Sequence, residues 1–143
     1  MVQNSITEEW NTGMLLGNHI VMNERYSELI LNAGIVSGVN PYHLASRLRL
    51  EVGPTITHPS ISGTVEGYEG LFNFYNIGAT SHSEFMQVIR NGLTFARQGR
   101  PGIDASSMLI PWDTPTRAIT GGAIFIGSRY INVRTKHNIS AKI

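Results

Sequence analysis

Residues 37–53, SGVNPYHLASRLRLEVG, contain the signals that begin and end one helix, and the rest of the fold can be built outward from it. Asn40 can cap a helix N-terminus through its side-chain oxygen, and Pro41 suits the first helical position, where no N–H is needed. Gly53-Pro54 ends the helix, since proline disfavours helical backbone in the residue before it. The stretch therefore predicts a helix from Pro41 to about Val52.

The last turn of this helix places a carboxylate on its apolar face. At about 100° per residue, Leu44, Leu48 and Glu51 fall within roughly 60° of one another, so Glu51 extends the stripe that faces the core. Desolvation there would raise the pKa of Glu51 and keep it protonated near neutral pH, as a general acid requires. Alternatively, Glu51 turns to solvent or pairs with Arg47, and periodicity alone favours this second interpretation.

Similar signals predict helices on both sides. Residues from about Met22 to Ala33 show helical spacing, and Gly34 follows as a C-terminal cap. Ser83 can cap a helix that continues to about Gln98 and closes at Gly99.

A fourth helix is predicted from about Pro115 to Tyr130. Its Gly121-Gly122 pair lowers helix propensity by about 1 kcal/mol per glycine, so we expect close packing against a neighbour. The tail after Asn132 has little pattern, and we expect it to fray.

Residues from Thr55 to Ala79 lie between the Pro41–Val52 helix and the helix that starts near Ser83, and they are rich in Ser, Thr, Gly and aromatic residues. This composition predicts loops and a short hairpin. The expected fold is therefore mainly α, of the α+β kind, with a helical lobe and a small irregular or β lobe. A chain of 143 residues fits one domain.

Composition excludes several functions. The net charge of +1, from interspersed charges, gives no nucleic-acid footprint, and no apolar run approaches the ~20 residues that span a bilayer. The chain has no cysteine, and its five histidines show no metal-ligand spacing, so we expect no metal. Phosphate-binding glycine motifs and a GxSxG elbow are also missing.

The segment after the Pro41–Val52 helix carries groups that suit sugars. Aromatic faces bind sugar rings and amides bind hydroxyl and acetamido groups, and the segment offers both: Tyr68, Phe72, Asn73, Phe74, Tyr75 and Asn76. The apolar members can instead be the core side of a hairpin. Glu66 or Glu69 could act as a base if it lay roughly 6.5–9.5 Å from Glu51.

Three segments in order resemble one enzyme family. Residues 37–53, residues 61–79 (ISGTVEGYEGLFNFYNIGA) and residues 111–132 (PWDTPTRAITGGAIFIGSRYIN) are similar to the glucosaminidase domain of bacterial autolysins, glycoside hydrolase family 73. The resemblance covers about residues 22–132. It implies a lysozyme-like fold whose two lobes flank a glycan cleft.

The resemblance also implies a function. The family cuts the β-1,4 bond after N-acetylglucosamine in peptidoglycan, and its catalytic glutamate matches Glu51. The NFYNIGA stretch matches the family's cleft motif, which implies site roles for Asn73, Tyr75 and Asn76. A peptidoglycan hydrolase of this kind would need no cofactor and would act outside the cell or at the wall as a monomer, without nucleic-acid or membrane partners.

Two departures keep other functions open. Trp112 stands where many members have a tyrosine that is important for activity; tryptophan can stack on a sugar but has no hydroxyl. The tail, VRTKHNISAKI, also differs from the aromatic-containing segment of relatives. The alternatives are a lytic transglycosylase, which forms an anhydro product, and a peptidoglycan-binding module with impaired catalysis.

Overall fold

The computed structural model describes the backbone of residues 26–52 and 58–142, with side chains as far as Arg129. The elements in chain order are α1 (Tyr26–Ser37), α2 (Pro41–Val52), a 3-10 turn (Pro59–Ile61), α3 (Phe85–Gln98) and α4 (Pro115–Lys142). The predicted mainly helical class is confirmed. No helix in the described ranges is long and apolar enough to cross a membrane.

The segment between the 3-10 turn and α3 contains turns and irregular backbone, and no strand occurs in the described part of the chain. The small β lobe and the hairpin expected from the sequence are therefore not shown. A physical reason is the positive φ of the glycines in this segment, which turns the chain every few residues before a ladder can extend: Gly63, Gly67, Gly70 and Gly78.

Helix α2 has the predicted bounds. The backbone N–H of Tyr42 donates to Oδ1 of Asn40 at 2.8 Å, which is the expected N-terminal cap. Leu44 and Leu48 are completely buried, so the apolar stripe faces the core as its spacing indicates. The predicted stop signal, Gly53-Pro54, lies outside the described residues.

Helix α1 is longer at its C-terminus than predicted. Gly34 does not cap it; the chain leaves the helix after Ser37, at Gly38 with φ of 78°. Gly34 instead allows close packing, because a Cβ there would lie 2.7 Å from Cγ of Pro41. The predicted start at Met22 lies outside the described residues.

The N-terminal signal of α3 was also misjudged. The helix begins at Phe85, and Glu84, rather than Ser83, occupies the cap position without a side-chain cap bond. Its C-terminus agrees with the prediction, since Gly99 has φ of 69° and its N–H donates to the carbonyl oxygen of Phe95 at 2.8 Å.

Helix α4 confirms the close packing expected at its glycine pair. A Cβ on Gly121 would lie 2.1 Å from the carbonyl oxygen of Met108, and one on Gly122 would lie 2.4 Å from the ring of Tyr75. The helical backbone continues to Lys142, so the predicted end at Tyr130 is wrong, and the expected fraying of the tail stays a prediction.

The core joins the helices to the segment that carries the asparagines. One buried apolar cluster takes residues from all four helices and from the Phe72–Ile77 stretch. Trp112 is completely buried in it, with its ring 5.6 Å from that of Phe95, which in turn meets Phe125 edge-on at 5.6 Å. The irregular segment and the helices therefore share one core.

Candidate active site

Glu51 lies in the last turn of α2, half-buried, and extends the buried stripe of Leu44 and Leu48. Its Oε1 accepts a hydrogen bond from Nδ2 of Asn76 at 3.4 Å. Among the described residues, the ion pairs join Arg90 to Glu84 and Arg117 to Asp113, and neither involves Glu51. Glu51 therefore does not form the ion pair with Arg47 that the sequence left open.

Asn76 is held in place by its own backbone and by a buried serine. Its φ of 53° is a left-handed conformation that asparagine tolerates better than most residues. Oδ1 of Asn76 accepts from Oγ of Ser60 at 3.4 Å, so Nδ2 is the atom directed at Glu51. Both contacts are long for side-chain hydrogen bonds.

Asn73 shapes the loop that presents Asn76. Its side chain is fully buried, and Nδ2 donates to the carbonyl oxygens of Ile77 at 2.7 Å and Gly92 at 2.9 Å. Its Oδ1 accepts from the N–H of Ile77 at 3.1 Å. Asn73 therefore closes the loop around Asn76 and joins it to α3, and its predicted contact with substrate stays a prediction.

Tyr75 and Trp112 are also fully buried. The hydroxyl of Tyr75 donates to the carbonyl oxygen of Ile119 at 2.9 Å, and Nε1 of Trp112 donates to that of Met108 at 2.8 Å. Burial raises the pKa of Tyr75, opposed in part by the charge of Arg47. The contacts of both rings are structural, and their predicted contact with sugar stays a prediction.

The described contacts of Tyr68 and Glu69 are with residues other than Glu51. The hydroxyl of Tyr68 lies 3.1 Å from Oγ1 of Thr94, and the Arg97 guanidinium stacks 4.5 Å above its ring. Glu69 is exposed, and its Oε2 accepts from the N–H of Gly67 at 3.2 Å. The structure thus brings Asn76 to Glu51, while Glu69 has its hydrogen bond within its own turn.

The site includes His58, which the sequence did not single out. It caps the 3-10 turn, since its Nδ1 accepts from the N–H of Ser60 at 3.2 Å. Burial lowers the pKa of His58, and the nearby negative charge of Glu51 partly opposes this effect. No spacing rule links His58 to Glu51, because the two meet only through the fold.

We expect NMR titration to give His58 a pKa below the usual 6.5, and a still lower pKa in Glu51→Gln, which removes the opposing charge. The urea-unfolded chain supplies the reference, and a His58→Gln variant identifies the resonance. Because the folded pKa is the lower one, the contribution of neutral His58 to stability is complete above about pH 6.5 and is lost as pH falls through the folded pKa. A pKa above 6.5, or a rise in Glu51→Gln, would contradict this description.

A cavity of about 490 Å³ opens beside Asn76. It is lined by His43, Arg47, Asn76, Ile77, Gly78, Arg100, Phe125, Ile126 and Arg129. The polar lining is cationic and amide in character, and it contains no carboxylate. In the described part of the chain, no group of three or more His, Cys, Asp or Glu side chains could hold a metal ion.

Comparison of the chain with protein-family models, with curated proteins and with solved structures finds no match.

Proposed function

We propose that this protein is a peptidoglycan hydrolase that cleaves the β-1,4 bond after N-acetylglucosamine, with Glu51 as the general acid. The observation that carries the proposal is the pairing of a half-buried Glu51 with the amide of Asn76, at the junction of α2 and the NFYNIGA segment. Glu51 lies in the segment whose resemblance to family 73 includes the acid, and Asn76 lies in the segment that resembles the family's cleft motif. In this proposal the chain has a lysozyme-like architecture, and the irregular segment before α3 forms the second wall of the glycan cleft.

The hydrogen bond from Asn76 favours one arrangement of the acid. Oε1 of Glu51 accepts from Nδ2 of Asn76, so a proton that this carboxylate takes up before catalysis goes to Oε2, which then donates it to the glycosidic oxygen. The C–O bond breaks as the leaving sugar takes the proton, and a water or the substrate's own acetamido oxygen attacks the anomeric carbon. An acetamido intermediate is then opened by water, which gives its proton to the Glu51 carboxylate and so restores the acid. In the direct route the attacking water loses its proton to a second base, and each route consumes one water per bond.

The surroundings of Glu69 bear on which group assists the attack on the anomeric carbon. Glu69 is the predicted candidate for a base, but its hydrogen bond to Gly67 and its exposure resemble those of a solvated loop acid. This geometry favours attack by the acetamido group, for which no second protein carboxylate need hold the water.

The test is digestion of purified peptidoglycan by the full chain, followed by borohydride reduction and mass analysis of the fragments. We expect reduced N-acetylglucosamine ends and loss of turbidity. Reduced muramic acid ends would overturn the bond assignment, and anhydro ends, lighter by one water, would identify a lytic transglycosylase. Co-sedimentation with cell walls without any cleavage would identify a binding module.

A further inference from the structure

We propose that the cavity beside Asn76 is a binding site for a carboxylate-bearing peptide, namely the peptide stem attached to the glycan. This inference rests on the proposed function and adds the part of the substrate that the Glu51 site does not contact. It starts from the charges that line the cavity.

Arg47, Arg100 and Arg129 come from three separate parts of the chain and line one cavity of about 490 Å³. The whole chain has a net charge of only +1, so this concentration of positive charge is local. Guanidinium groups match the planar fork of a carboxylate and bind it through paired charge-assisted hydrogen bonds. The cavity therefore suits a ligand with one or more oxyanion groups.

Two of these arginines are positioned by an aromatic ring. The guanidinium carbons of Arg100 and Arg129 lie 5.9 and 5.6 Å from the ring centroid of Phe125, and that of Arg100 also lies 5.5 Å from the ring of Phe95. Such contacts restrict the side chains before a ligand arrives. Neither arginine forms an ion pair with a described carboxylate.

The cavity adjoins the proposed acid through Asn76, which lines the cavity and also donates to Glu51. In peptidoglycan, a short peptide with free carboxylates hangs from every second sugar, so a glycan bound at Glu51 would carry one within reach. The apolar part of the lining, Ile77, Ile126 and Phe125, suits the methyl groups of its alanines. The cavity thus fits both the anionic and the apolar parts of a stem.

The experiment measures binding of a synthetic stem peptide to the full chain by calorimetry, for the wild type and for the double variant Arg100→Gln, Arg129→Gln. We expect the double variant to bind the peptide at least tenfold more weakly than the wild type does. We expect the same loss of affinity when the wild-type protein is given a peptide whose carboxyl groups are amidated. Arg90→Gln is the matched control, because Arg90 of α3 pairs with Glu84 at the helix cap and does not line the cavity. Circular dichroism checks that each variant is folded.

Several results would overturn the assignment: no binding by the wild type, equal loss in Arg90→Gln, or equal binding of the amidated peptide. Binding of inorganic phosphate without binding of the peptide would also overturn it, in favour of a phosphate ligand. Cleavage of glycan strands stripped of their peptides is measured in parallel. Peptide binding without cleavage would then refute the hydrolase proposal alone, and cleavage without peptide binding would refute the cavity proposal alone.

Discussion

Glu51→Gln is expected to lower the rate of glycan cleavage by about 10²–10⁴-fold while leaving the free energy of unfolding close to that of the wild type. Glutamine has the shape of glutamate, and its side-chain oxygen can still accept from Nδ2 of Asn76. It has no acidic proton for the leaving oxygen, so the variant separates the chemistry from the packing. The measurement is the initial rate of release of reducing ends from purified peptidoglycan.

Two matched carboxylate-to-amide changes sharpen this result. Glu66 is exposed, and Glu66→Gln should keep the wild-type rate. Glu69→Gln tests the predicted second group; because Glu69 bonds only the turn at Gly67 in this structure, we expect a loss of less than about tenfold. A loss in Glu69→Gln as large as in Glu51→Gln would show that Glu69 is the base, and full activity in Glu51→Gln would refute the general-acid role.

The parts of this site that the sequence predicts are those fixed by local rules. The Asn40 cap, the Pro41 start and the apolar spacing placed Glu51 at the end of a buried stripe, and the structure has α2 with those bounds. Gly34 was misjudged because a glycine after an apolar run resembles a cap, whereas here Pro41 packs against it from the next helix. That contact depends on tertiary structure, which spacing along one helix does not encode.

The same limit applies to the residues around Glu51. The motif predicted Asn76 as part of the site, but not its contact with Ser60. Ser60 lies 16 residues earlier and meets Asn76 only in the folded chain. The aromatic content of the segment predicted a sugar contact for Tyr75, and the resemblance pointed to Trp112; both rings are completely buried in this structure, and their sugar contacts stay predictions. Composition alone cannot distinguish a ring that binds a ligand from one that fills the core, since both uses favour large aromatic side chains.

Asn73→Ala is expected to have the largest effect on stability, a loss of about 3–5 kcal/mol in the free energy of unfolding. The substitution leaves the N–H and carbonyl oxygen of Ile77 without their side-chain partner in a fully buried place, and the carbonyl oxygen of Gly92 keeps its bond within α3 but loses the second one. Each buried polar group left unsatisfied costs about 1–3 kcal/mol, and some relaxation of the loop keeps the sum below the upper limit. Urea unfolding followed by circular dichroism measures the loss.

Asn91→Ala provides the matched control, because Asn91 also makes three hydrogen bonds through its amide. It donates to the carbonyl oxygen and to Oγ1 of Thr80 and accepts from Nε2 of Gln87, but at a half-buried position on α3. Water can replace these partners, so we expect a loss of only about 1 kcal/mol. Similar losses in the two variants would show that water reaches the Asn73 position, and that the loop presenting Asn76 to Glu51 is held by its apolar contacts rather than by this amide.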